Sequence, residues 1–102
     1  MTEVKREERT SSQCEREFEI INDRGLHARA ATKLVQTAAR FPCEVMVSSD
    51  ESEAVNAKSV MGVLLLCGAK GTRIRVHARG GEALACVAAI GELIANRFGE
   101  PE

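Results

Sequence analysis

RIRVHARGG, residues 73–81, alternates Ile74, Val76 and Ala78 with Arg73, Arg75, His77 and Arg79 until a glycine pair breaks the run. A period of two places the apolar residues on one face of a β-strand and the charged residues on the other. A strand that is wet on one face needs helices against the other face only, since only that face has apolar surface to bury. The same alternation recurs upstream. Phe18 and Ile20 alternate with Glu17 and Glu19, and Cys43, Val45 and Val47 alternate with Glu44, Met46 and Ser48. SSDESE (48–53) then reads as a polar turn, and AVN (54–56) as the return strand of a hairpin.

Between these strands the period lengthens. NDRG (22–25) turns the chain, with Gly25 free to take a positive φ. From Ala28, residues Ala31, Leu34, Val35 and Ala38 share a helical face, with Lys33, Gln36 and Arg40 largely outside it. Pro42 closes this helix, because a residue before proline is biased towards extended backbone. A short second helix is expected from about Ser59, with Val60, Val63, Leu64 and Cys67 as its apolar positions and CGAKG (67–71) as its end. A last helix from about Glu82 to Arg97 is expected to bury Leu84, Val87, Ala88, Gly91, Ile94 and Phe98. Strand, helix, strand, strand, helix, strand, helix predicts an α+β open-faced sandwich: a four-stranded antiparallel sheet with three helices on one face. One domain over 16–98 then lies between a charged tail (1–15) and a short C-terminal tail (99–102).

Composition excludes several functions. The chain has 102 residues, enough for one core, and only 3% aromatic residues, all phenylalanine, which leaves no stacking platform for single-stranded nucleic acid. A net charge of −1 supplies no field to attract nucleic acid or an anionic membrane. Cys14, Cys43, Cys67 and Cys86 form no C-x-x-C unit and are read as free, mostly buried thiols; with only His27 and His77 beside them, no metal site is expected. The tail has no apolar signal region and no segment is long enough to span a bilayer, so a cytoplasmic protein without membrane insertion is expected. GAKGTR lacks phosphate-loop spacing, no Ser-His-Asp set or metalloprotease motif is present, and Asp50 and Glu51 fall in a polar turn without a cleft. Neither an autonomous catalytic site nor a cofactor is implied.

GLHARAATKLV (25–35) carries the chemistry. His27 stands where the first helix begins, and helix N-termini present unpaired amides and partial positive charge to anions. Arg29 adds a guanidinium suited to bidentate phosphate contact, and a neutral imidazole is a good nucleophile. Spacing alone also admits an ordinary exposed N-cap residue at His27. His77 shares the polar face of its strand with three arginines and reads as a surface residue. Ser59, ahead of VMGVLLL (60–66), is an N-cap, a position at which a phosphoserine would also be stabilised.

GLHARAATKLVQTAARF (25–41), VNAKSVMGVLLLCGAKG (55–71) and IRVHARGGEALACVAAIGELI (74–94) together resemble HPr, the small phosphocarrier of the bacterial phosphotransferase system, over roughly 18–98. The resemblance implies that His27 accepts a phosphoryl group on Nδ1 from phosphorylated enzyme I and passes it to IIA components. It implies that Arg29 and the backbone amides of Ala28 and Arg29 bind that phosphate, and that Val60, Met61 and Leu64 dock partners. It further implies Ser59 as the site at which an HPr kinase/phosphorylase regulates the carrier, with a transcriptional regulator as a further partner. A carrier that alternates between partners is expected to be a monomer. Three features depart from the usual pattern: Ala30 stands where proline is common, Arg24 adds a positive charge expected to favour the phosphorylated form modestly, and the N-terminal tail is long. The stretch is compatible with the sugar-type or the nitrogen-type branch of the system. A regulatory binding module controlled at Ser59 is the alternative of a different class.

Overall fold

A computed structural model describes residues 12–102. Its strands are β1 (Gln13–Glu19), β2 (Glu44–Ser49), β3 (Ser52–Asn56) and β4 (Arg73–Arg79), and its helices are α1 (Ala28–Ala39), α2 (Val60–Leu65) and α3 (Ala83–Ala95). The strands form one antiparallel sheet in the order β1-β4-β2-β3. Ile74, Val76 and Ala78 of β4 are fully buried, together with Val45 and Val47 of β2, against Leu34 of α1, Val63 of α2 and Val87, Ile90 and Ile94 of α3. The opposite face is charged. Glu17 pairs in register with Arg75, and Arg75 reaches Glu15 at 3.1 Å and Glu17 at 3.5 Å. Such exposed pairs contribute about 0–1 kcal/mol each, so they keep the face wet and leave stability to the core. His77 lies on this face as expected, its Nε2 3.3 Å from Gln13 Oε1.

Several boundaries move. β1 starts at Gln13, so residues 13–15 pair with β4 and do not belong to a tail; of the rest of the expected 1–15 tail, Ser12 directly precedes β1 and 1–11 lie outside the described residues. The hairpin between β2 and β3 is tighter than SSDESE suggested: Asp50 and Glu51 alone connect the strands, and the register shifts between Val47 and Ser49. Asp50 and Glu51 also border an open groove with Leu66, Cys67 and Arg73, which corrects the expectation of no cleft there.

The last helix is rotated relative to its expected face. Ala83, Cys86, Val87, Ile90 and Ile94 are buried, whereas Leu84 is 58% exposed and Ala88 lies outside. Its sequence, ALACVAAIGELIA, carries a single charged residue, Glu92, so polarity does not mark the outer face. Gly91 remains at the interface, where the ring of Phe18 sits so close that a Cβ would lie 2.6 Å from it. Cys67, expected on the apolar face of α2, is exposed after the helix, and Leu66 is buried in its place.

Candidate functional site

Two glycines bring the site together. Gly25 has φ +66, and a Cβ there would lie 2.3 Å from the carbonyl oxygen of Gly68. The two backbone segments touch, and the Leu26 N–H donates to Gly68 O at 2.7 Å. The loop before α1 is thereby fixed to the loop after α2, with Leu26 buried between them. His27, the next residue, is held at the mouth of a groove shared with Arg24, Leu26, Cys67, Gly68 and Ala69.

His27 is the N-cap of α1 by backbone conformation (φ −75, ψ 179), but its ring makes no capping bond. The first-turn amides of Ala28 and Arg29 therefore keep no side-chain partner from the cap, as an anion site requires. The ring turns instead towards the C-terminus: Nε2 contacts Glu100 Oε2. The His27 side chain is 24% exposed and that of Glu100 13%. The other Glu100 oxygen, Oε1, accepts from Asn22 Nδ2 at 3.0 Å, and the same amide group donates to Gly25 O at 2.9 Å. The bond from His27, above all, holds the Glu100 carboxyl below its ordinary value, against the opposing effect of burial. Nδ1 is left without a hydrogen-bond partner among the described residues.

Arg29 is exposed and makes no hydrogen bond or ion pair with the described residues. It lines a cleft of about 230 Å³ with Asp23, Arg24, Glu100, Pro101 and Glu102. Arg24 borders both this cleft and the His27 groove, so the positive charge expected near the site is present. Ala30 is fully buried in the first turn of α1.

Ser59 is in a different place. It caps α2, its Oγ accepting from the Gly62 N–H at 3.1 Å, and it makes no bond to His27. Of the expected docking residues, Met61 is 71% exposed while Val60 and Leu64 are half-buried; Leu65, which spacing did not single out, is as exposed as Met61. The helix that carries these apolar side chains, α2, packs on α1. Among the described residues no cluster of His, Cys, Asp and Glu could hold a metal, and no helix is long and apolar enough to cross a membrane.

A histidine with one ring nitrogen tied back and the other open, beside free amides and two arginines, invites comparison with phosphorylated proteins. Residues 14–96 match the family model described as "PTS HPr component phosphorylation site". The chain belongs to the HPr family. The phosphocarrier protein HPr of Pseudomonas aeruginosa is 45% identical over 86 residues, covering 84% of this chain and 96% of that protein. That of Neisseria meningitidis is 46% identical over 85 residues, covering 83% and 94%. A crystal structure of HPr from Thermoanaerobacter tengcongensis superposes with a TM-score of 0.83 at 38% identity, covering 87% of this chain and 99% of that one. The open-faced sandwich and the family resemblance read from the sequence both hold, and family membership implies phosphoryl transfer within the phosphotransferase system.

Asn22 and Glu100 escaped the sequence reading. In the sequence Asn22 belongs to a turn and Glu100 to a tail at 99–102, and neither position carries a local signal of the site. That tail segment in fact packs against the turn before α1, with the Asp23 N–H donating to the Glu102 backbone oxygen at 2.7 Å. Their contacts span 73 and 78 residues of chain, which no local period reports.

Proposed function

We propose that this chain is a phosphocarrier whose His27 accepts a phosphoryl group on Nδ1 from phosphorylated enzyme I and delivers it to IIA components. The observation that carries this reading is the open Nδ1 of a half-exposed His27 at the start of α1, inside the segment that matches the phosphorylation-site family. Catalysis is then chiefly positioning, with the two proteins setting the in-line geometry and the site neutralising charge. Arg29 contributes a guanidinium and Ala28 and Arg29 contribute amides; Arg24 adds a modest bias towards the phosphorylated form. Met61, with Val60 and Leu64 beside it, forms the apolar surface on which enzyme I and IIA dock. The carrier works in the cytoplasm as a monomer, since His27 must face each partner in turn, and it needs no cofactor.

Incubation with phosphoenolpyruvate and the cognate enzyme I tests this directly. Acid-labile label on the wild type that vanishes in His27→Ala is the expected result; an unlabelled wild type rejects the carrier role. Ser59 supports a second, regulatory role, since its Oγ is at the N-cap of α2 beside exposed Met61. Incubation with ATP and an HPr kinase/phosphorylase should give acid-stable label that is absent from Ser59→Ala. Label that persists in that variant removes Ser59 from the account.

A further inference from the structure

Arg97, Phe98 and Gly99 adopt φ of +56, +55 and +79 in succession. Non-glycine residues resist the left-handed region, so a consecutive pair there is held by its surroundings. Phe98 is fully buried in the core, and its carbonyl accepts from Lys33 Nζ of α1 at 2.7 Å. The left-handed turn reverses the chain after α3 and returns it to the turn before α1, where the Asp23 N–H donates to the Glu102 backbone oxygen. Glu100 is the residue this strap places against His27. It lies beyond residues 14–96, the segment matched by the family model.

Both oxygens of the Glu100 carboxylate accept: Oε1 from Asn22, and Oε2 from His27 Nε2. An ionised carboxylate has no proton to give, so Nε2 is the donor and the lone pair of the neutral ring resides on Nδ1. We infer that Glu100 is a positioning residue for phosphoryl transfer: it holds His27 as the Nε2–H tautomer and compensates the positive charge that the ring gains when Nδ1 is phosphorylated. This inference rests on the proposed role of His27 as acceptor. In the transfer, the Nδ1 lone pair forms a bond to phosphorus while the bond from phosphorus to the donor nitrogen breaks and returns its electron pair to that nitrogen. The Nε2 proton stays on His27, so the ring becomes cationic as the N–P bond forms, and the fixed carboxylate faces that charge at no cost in reorganisation. Arg24 and Arg29, which border the same cleft, face the phosphoryl group and cannot serve this purpose, because their charge has the same sign as the ring's.

The experiment compares the full chain with Glu100→Gln and Glu100→Ala, using phosphoramidate as a small phosphoryl donor so that no partner protein is needed. In the wild type, 15N spectra should show His27 as one Nε2–H tautomer with a slowly exchanging proton. Glu100→Gln should keep that tautomer, since the amide oxygen can still accept, yet lose the charge; Glu100→Ala should lose both. Nδ1 phosphorylation followed by 31P spectroscopy should slow about tenfold or more in Glu100→Gln and further in Glu100→Ala. Rates and tautomer populations unchanged in both variants would overturn the inference, as would a wild type that phosphoramidate does not label on Nδ1. A wild type labelled by phosphoramidate with the expected dependence on Glu100, yet not by enzyme I, would leave Glu100 in its role and remove only the carrier assignment.

Discussion

His27 has two ring nitrogens, and the chain's own C-terminus engages one of them, Nε2. The division of labour around the ring follows from charge. Glu100 touches Nε2 and leaves Nδ1 open, so on the proposed route its negative charge does not repel an incoming phosphate, while the Arg29 side chain stands in the cleft with no ion-pair partner among the described residues. Arg29→Ala should therefore leave the melting transition unchanged and slow phosphorylation of His27 by about 10- to 100-fold, as measured by label uptake from phosphorylated enzyme I. A loss of thermal stability in parallel would instead make Arg29 a structural residue. The cysteines separate on similarly local grounds. Cys86 is fully buried, and burial together with its neighbour Cys43 pushes its thiol up to about 12, so hardly any thiolate exists near neutrality. Cys67 is exposed in the loop beside His27. Iodoacetamide at pH 8 should label Cys67 in the native protein and reach Cys43 and Cys86 only after denaturation; mass spectrometry showing equal native labelling would contradict this.

At the scale of elements, α1 depends on the loop that delivers it. Gly25→Ala puts a Cβ 2.3 Å from Gly68 O and 2.9 Å from Ala69 Cα, both backbone atoms that cannot swing away, at a left-handed φ. The variant should lose about 2–4 kcal/mol in urea unfolding, and whatever remains folded should transfer phosphate poorly because His27 is displaced. A loss under about 0.5 kcal/mol would show that the two loops part easily. Elements with one wet face were legible in the sequence: β4 writes its orientation residue by residue, and α1 has Gln36 and Arg40 to mark its outside. Where that contrast disappears, as in α3, the helix could be found but its rotation could not. Leu84 was expected inside and lies outside, because Ala83, Cys86 and Ile90 satisfy the same period one residue out of phase. His27 and Arg29 could be proposed from the sequence for another reason, since they are close together in the chain and the helix start that groups them is local. Asn22 and Glu100 complete the same site through contacts that only the folded chain makes.

For the whole molecule, the strap joins the end of the chain to the segment that carries His27, and on the proposed reading stability and function are linked through Glu100. Its carboxyl is held below the ordinary value of 4.5, chiefly by the bond from His27. A group whose folded-state pKa is depressed binds its proton more readily when unfolded, so its contribution is fully present above the unfolded value and fades as the pH falls through the lower folded one. Glu100→Gln should therefore be less resistant to urea than the wild type at pH 7, and the gap should close once the pH falls well below 4.5 and Glu100 is protonated in both states. The substitution removes the ionisable carboxyl while keeping the side chain's size and one accepting oxygen. Phe98 keeps the turn anchored in both, so the difference reports the contact at His27 and not detachment of the strap. A gap of the same size at pH 7 and pH 2 would assign the loss to side-chain shape, and the charge on Glu100 would then have no part in holding the end of the chain against the histidine.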